Sequence, residues 1–231
     1  MLQVDGLQVV QGDFALSADF KIKAGQRVAV IGPSGAGKST LLGAIGGYIP
    51  IVTGRVVVDG RDITNAAPDK RSIAMLFQDG NLFPHLTLAQ NVGLGLRPAL
   101  RLTADERQQV AHALGRVGLG DLGARKPGDV SGGQQSRAAL ARVLVQDRPL
   151  LLLDEPFAAL GPALRAEMLD LTSEVARHTG ATVLMITHAP EDAERAADQV
   201  LFVDGGQVDA PRAVADIMAN PPEALRTYLG R

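Results

Sequence analysis

Gly32, Pro33, Ser34, Gly35, Ala36, Gly37, Lys38, Ser39 and Thr40 form a glycine-rich stretch with the spacing G-x-x-x-x-G-K-[ST]. The chemistry of that pattern is the cradling of phosphate in a P-loop. Its glycines let the backbone wrap a β-phosphate closely enough for several N–H groups to point inward. A helix opening at Lys38 adds the positive partial charge of its N-terminus. Lys38 brings a mobile full charge for the β- and γ-phosphates, and the Ser39 hydroxyl is placed to ligate Mg²⁺.

A second group, Leu150-Leu-Leu-Leu-Asp154-Glu155, puts two carboxylates at the C-terminal end of an apolar strand, where ligands of open α/β sheets bind. Asp154 suits the positioning of Mg²⁺, usually through water, and Glu155 suits the polarising of an attacking water. A third group, Ser131, Gly132, Gly133, Gln134 and Gln135, opens another helix. Ser131 can cap it while the two glycines leave backbone N–H groups unobstructed, which makes a further anion site. With a nucleotide already cradled at residues 32–40, one chain has no evident use for it.

The elements that must hold these groups are legible in outline. Residues 27–31 read as the strand leading into the P-loop, and the helix after Lys38 carries Leu41, Leu42 and Ile45 before it stops at Gly46 and Gly47. Ahead of them, short alternating stretches in residues 2–22, broken at Gly6 and at Gly12-Asp13, suggest an added layer of antiparallel strands and hairpins. Residues 55–59 and 72–77 read as two further strands, the second ending at Gln78. Helical periods then run over 88–96, 104–117 and 131–146. Continuous apolar runs at 150–153 and 182–186 mark parallel strands buried on both faces, with a helix over 162–178 between them. A strand at 200–203, a turn at residues 204–206 and a helical tail from about Ala213 close the chain. The whole predicts one α/β domain over 1–231. Its core is formed by 1–83 and 149–231, and a helical subdomain at 84–148 is inserted into it.

Composition narrows the setting. Apolar residues at 46% and charged residues at 21% are ordinary for a globular α/β protein. A net charge of −2 gives no electrostatic footprint for nucleic acid or anionic lipid. The absence of cysteine excludes disulfides, thiolate metal sites and cysteine nucleophiles. No secretory signal is visible, and no run approaches 18 uncharged apolar residues. If the protein works at a membrane, another chain must hold it there.

Taken in order, G-P-S-G-A-G-K-S-T, F-Q at 77–78, V-S-G-G-Q at 130–134, L-L-L-L-D-E-P at 150–156 and Thr187-His188 resemble the ATP-binding cassette family over essentially the whole chain. The stretch 131–134 discriminates, since other P-loop ATPases lack it. The resemblance implies a P-loop NTPase core of the RecA-like type, ATP and Mg²⁺ as ligands, and a head-to-tail homodimer in which the P-loop of one copy and residues 131–134 of the other sandwich each ATP. It also implies that Gln78 touches Mg²⁺ and the attacking water, and that His188 contacts the γ-phosphate and orders Glu155. Two positions depart from the family pattern. Gly161 stands where the family carries an interface aspartate, and Gln11 stands where an aromatic stacks on adenine, with Phe14 the nearest aromatic. Phe14 or an aliphatic neighbour is expected to cover the base.

Only about 90 residues separate the P-loop from residues 131–134, without sustained heptads, so the coiled-coil repair and chromosome types do not fit. A short cassette without fused spans resembles the ATPases of bacterial importers, peripheral at the cytoplasmic face of the inner membrane. Such ATPases serve integral membrane permease subunits and, indirectly, a periplasmic or extracellular solute-binding protein, with no nucleic acid. Residues 75–96 and the short length resemble the thiamine import class, and residues 79–88 would receive a permease helix. The residues leave open an importer of iron, a polyamine or sulfate, a cassette ATPase acting on a soluble complex or DNA, and a P-loop kinase.

Overall fold

Alternation of apolar residues over the first 22 positions builds a hairpin of two long strands, β1 (Leu2–Gln11) and β2 (Phe14–Ile22). The computed structural model describes residues 1–78 and 80–228, so Asp79, the first residue of the segment 79–88, lies outside it. Gly6 does not end a strand as its type suggests. β1 runs through it on a bulge between Val4 and Leu7, with Gly6 at φ +51°. A bulge absorbs one extra residue while pairing continues on both sides.

β3 (Arg27–Ile31) feeds the P-loop and α1 (Lys38–Gly46), after which come β4 (Thr53–Val58), β5 (Arg61–Asp62) and β6 (Ile73–Leu76). Next are α2 (Leu88–Gly93), α3 (Ala104–Arg116) and α4 (Gly132–Leu144). β7 (Leu150–Asp154), α5 (Pro162–Thr179), β8 (Thr182–Ile186), α6 (Pro190–Ala196) and β9 (Gln199–Asp204) restore the βαβ alternation. Short pieces finish the described chain: β10 (Gln207–Val208), β11 (Arg212–Ala213), α7 (Val214–Ala219) and α8 (Glu223–Tyr228).

One sheet runs β5-β4-β1-β2-β10-β9-β3-β8-β7-β6, with β11 paired to β9. Strands β9, β3, β8, β7 and β6 are mutually parallel, whereas β2, β1, β4 and β5 are antiparallel. Every residue of β7 and β8 is buried, as the unbroken apolar runs require of central parallel strands. The C-terminal ends of β3, β7 and β8 therefore emerge side by side, which brings residues 32–40, 154–155 and 187–188 to one edge.

Four expected spans are shorter in the structure, β6 by one residue at each end, α3 by one residue at its C-terminal end, and α2 and α4 by more. α2 ends at Gly93 instead of reaching 96 because the following turn presses on α4: a Cβ at Gly95 would stand 2.5 Å from the carbonyl oxygen of Arg142. α4 stops at Leu144, short of 146. α6 carries no strong period in seven residues and has no counterpart in the sequence reading.

The end of α1 is anchored by Arg71, which is 4% exposed. Its guanidinium donates to the carbonyls of Ala44 (3.2 Å), Ile45 (2.6 Å), Thr64 (3.0 Å) and Ala66 (2.9 Å). A cation at a helix C-terminus meets orphan carbonyls and the negative end of the dipole. Arg71→Ala strands these acceptors and should cost about 2–4 kcal/mol. A melting temperature lower by roughly 5–10 °C is expected from calorimetry; an unchanged one would contradict this role for Arg71.

Candidate functional site

The P-loop backbone is possible only with glycine at its tightest points. A Cβ at Gly32 would lie 1.9 Å from the carbonyl oxygen of Val203 on β9, and one at Gly37 (φ +107°) would lie 2.7 Å from both Phe14 Cζ and Leu16 Cδ1. The loop is thus pressed between the parallel sheet and β2. Lys38, 5% exposed, donates from Nζ to the carbonyls of Gly32 (2.9 Å) and Pro33 (2.7 Å). Burial lowers its pKa, against the opposing pull of the Glu155 and Asp154 carboxylates. The charge expected to be mobile is tethered to its own loop. Those two carbonyl bonds are what phosphate oxygens would replace, and an ammonium short of water gains most from that exchange.

At the end of β7, Asp154 is 6% exposed and accepts a hydrogen bond from the Ser39 hydroxyl at 3.2 Å. Burial pushes its carboxyl above the usual range, the Glu155 carboxylate adds to that, and Ser39, Lys38 and His188 pull the other way. A hydroxyl and a desolvated carboxylate side by side are hard oxygen donors that fit Mg²⁺. Among the described residues no group of three or more His, Cys, Asp and Glu could hold a metal alone. That donor set suits an ion that keeps waters and shares phosphate oxygens.

Glu155 follows in the left-handed region at φ +46°, a conformation that costs a non-glycine residue free energy and persists only where its surroundings enforce it. Here the buried strand before it and Pro156 after it do so. The turn aims the carboxylate at two partners, Gln78 Nε2 at 3.4 Å from Oε2 and His188 Nε2 at 2.5 Å from Oε1. Gln78 comes from the end of β6 and His188 from the end of β8, the two neighbours of β7. A cleft of about 550 Å³ has Ser34, Gly35, Gly37, Lys38, Ser39, Thr40, Gln78, Glu155 and His188 in its wall. Gln11 and Phe14 also line it, and Gln11 Oε1 lies 3.5 Å from the Thr40 hydroxyl. Phe14 rests against Gly37, so the ring belongs to the wall beside the loop.

Residues 131–134 lie elsewhere. Ser131 caps α4 in a capping box, accepting from Gln134 N at 3.3 Å while Gln134 Oε1 accepts from Ser131 N at 2.9 Å. Ser131 and Gly132 are exposed, and none of the four residues lines the cleft. Gly133 faces Leu160, whose Cδ2 is 3.1 Å from where a Cβ would be. Gly161 is the N-cap of α5 and supplies no side-chain cap.

Sequence reasoning passed over the left-handed turn at Glu155 and two arginines that brace the loops. Arg142 on α4 donates to the carbonyls of Gly80 (2.7 Å) and Asn81 (2.8 Å), just beyond Gln78. Arg165 on α5 joins Asp192 and Thr187 beside His188. An arginine aimed at distant backbone carbonyls, as Arg142 is, or at side chains more than 20 positions away, as Arg165 is, has no local spacing signature.

A family model described as ABC transporter matches residues 16–158. The chain is 60% identical over 230 residues to the thiamine import ATP-binding protein ThiQ of Cereibacter sphaeroides, covering 100% of both chains. It is 58% identical to the protein of that name from a Ruegeria species, again over 100% of both. A dimeric structure of the ATP-binding cassette MJ0796, in a post-hydrolysis state bound to ADP and Pi, superposes with a TM-score of 0.84 at 28% identity, over 93% of this chain and 99% of that one.

Proposed function

Since this chain belongs to the ABC transporter family, we propose that it is the ATP-hydrolysing subunit of an importer, and that thiamine or a thiamine phosphate is the solute whose uptake it energises. The observation that carries the hydrolytic reading is the Glu155 carboxylate, held between Gln78 and His188 at the mouth of the P-loop cleft. The solute is supported by full-length identity to ATPases named for thiamine import.

In this reading residues 32–40 take the phosphates of ATP, and Lys38 exchanges the Gly32 and Pro33 carbonyls for β- and γ-phosphate oxygens. Ser39, Asp154 and Gln78 would hold Mg²⁺, which when bound neutralises phosphate charge. Glu155 polarises the attacking water, and His188 contacts the γ-phosphate while keeping Glu155 in place. Catalysis is then mostly positioning and electrostatic stabilisation. Ser131, Gly132, Gly133 and Gln134 act from a second copy in a head-to-tail homodimer. The exposure of Ser131 and Gly132, and the absence of all four residues from the cleft wall, support that arrangement. Residues 84–148 serve as the helical subdomain of the 1–231 cassette, between core segments 1–83 and 149–231.

Among the described residues no helix is long and apolar enough to cross a membrane. The chain is peripheral at the cytoplasmic face of the inner membrane, docked to permease subunits through the segment 79–88. Phe83 on that segment is 47% exposed and meets His85 edge-on at 6.0 Å. A solute-binding protein is engaged only through the permease. Thiamine uptake tests the assignment. A strain lacking this chain should regain uptake with the wild type and not with Glu155→Gln, and the permease should co-purify with both. Restored uptake of iron, a polyamine or sulfate in place of thiamine would contradict it.

A further inference from the structure

His188 is poorly held by packing. Its side chain is 45% exposed, against 14% for Glu155, and it borders a second cleft of about 230 Å³ between the end of β8 and the segment after β7. An imidazole with open space beside it depends for its direction on the backbone beneath it as well as on its own partners. That backbone is fixed from both sides by one hydroxyl. Thr187, 4% exposed, receives at Oγ1 the N–H of Ala189 at 3.1 Å, and donates to Asp192 Oδ2 at 2.6 Å. Arg165 Nη2 lies 3.2 Å from the same hydroxyl, while Arg165 Nε donates to Asp192 Oδ2 at 3.0 Å and Nη2 pairs with that oxygen more closely still. The main-chain N–H of Thr187 is tied to Val30 on β3 at 3.3 Å.

We infer that Arg165 and Asp192 are positioning residues which, through the Thr187 hydroxyl, hold His188 against Glu155. The inference rests on the hydrolytic role proposed above for His188. The three side chains come from separate elements, the first turn of α5, the first turn of α6 and the end of β8, and they meet under the residue that touches Glu155. Asp192 is 7% exposed, and Arg165 is the cation paired with it. A buried carboxylate without its partner is strongly disfavoured. A pair that served only to join α5 to α6 would not need the hydroxyl. Here the hydroxyl is the junction, with Arg165 and the Ala189 N–H on one side of it and Asp192 on the other. Loss of the junction removes the ties of Thr187 to Ala189 and Asp192 and leaves it held by its main-chain bond to Val30. The nucleotide cradle at residues 32–40 makes none of these contacts, so binding and turnover should separate.

The test measures kcat and KM for ATP in Thr187→Val, Thr187→Ser and Asp192→Asn, each alone and in a His188→Ala background. Misplacing a reacting group by about 1 Å costs up to 10²-fold. Thr187→Val and Asp192→Asn are therefore expected to lower kcat by roughly 10- to 100-fold with KM within about twofold, and Thr187→Ser to retain the wild-type kcat. In the His188→Ala background neither change should lower kcat further, because residues acting as one unit are non-additive. Losses that multiply in that background, or a wild-type kcat for Thr187→Val, would overturn the inference. If Asp192→Asn does not fold, the Thr187 pair carries the comparison alone. A wild-type rate for His188→Ala itself is a distinct result. It would remove the hydrolytic role of His188, and with it the function of the Arg165–Asp192 pair, whatever the Thr187 variants do.

Discussion

Glu155→Gln is expected to slow ATP hydrolysis by about 10²- to 10⁴-fold, or about 3–5 kcal/mol of barrier, while ATP still binds. Glutamine keeps the shape of the side chain and can remain near Gln78 and His188. It lacks the negative oxygen that polarises water. Neither Lys38 nor Ser39 depends on Glu155 for its hydrogen bonds, so the phosphate cradle survives the change. Removing a carboxylate that pulls the Lys38 pKa upward leaves burial, the larger influence, opposed by Asp154 and shifts that pKa further down. A protein that binds ATP without consuming it should stay closed on it. Size-exclusion chromatography of the variant with ATP should show a dimer, and a monomer at every ATP concentration would contradict the sandwich.

The variant also probes the left-handed backbone at Glu155. A residue at φ +46° between a fully buried strand and a proline has the direction of its Cα–Cβ bond set by the backbone. The strain is borne by the β7 ladder, paired to β6 and β8 along its length. In this arrangement the fold sets where the side chain leaves the backbone, while Gln78 and His188 hold its carboxylate.

How much of this could be read beforehand depends on how local each cause is. The P-loop, the apolar run at 150–153 and the strand at 182–186 announce themselves because spacing and burial are encoded residue by residue. The parallel pairing of β3, β7 and β8 follows from them, and so does the meeting of Lys38, Glu155 and His188. The continuous path of β1 through Gly6 was hidden because a bulge and a break have the same residue type. The end of α2 at Gly93 depends on the approach of Arg142 from more than 40 positions away. The tethered Lys38 was not foreseen because its carbonyl partners are main-chain atoms of its own loop. Arg71, Arg142 and Arg165 went unassigned for the same reason or because their partners lie far off in sequence.

Gln11 and Gly161 were marked in the sequence as departures from the family pattern, and the structure gives each a local setting. Gln11 lines the cleft near Thr40 while Phe14 braces Gly37. Gly161 begins α5 with open space where a side chain would be. Its neighbour in the helix, Arg165, turns inward to Thr187 and Asp192.

The central claim is that each ATP site is completed by residues 131–134 of a second copy, and mixed dimers test it most directly. One chain carries Lys38→Ala, which removes a charge-assisted phosphate contact worth about 3 kcal/mol, or roughly 100-fold in affinity. The other carries Ser131→Arg, which disrupts the exposed N-cap of α4 and places bulk where the partner's nucleotide would lie. If the site is shared, pairing the two chains concentrates both lesions in one site and leaves the other intact, so the mixed dimer should bind a single ATP tightly while both homodimers bind weakly. Nucleotide bound per mixed dimer no greater than in either homodimer would contradict the shared site and confine the P-loop to its own chain.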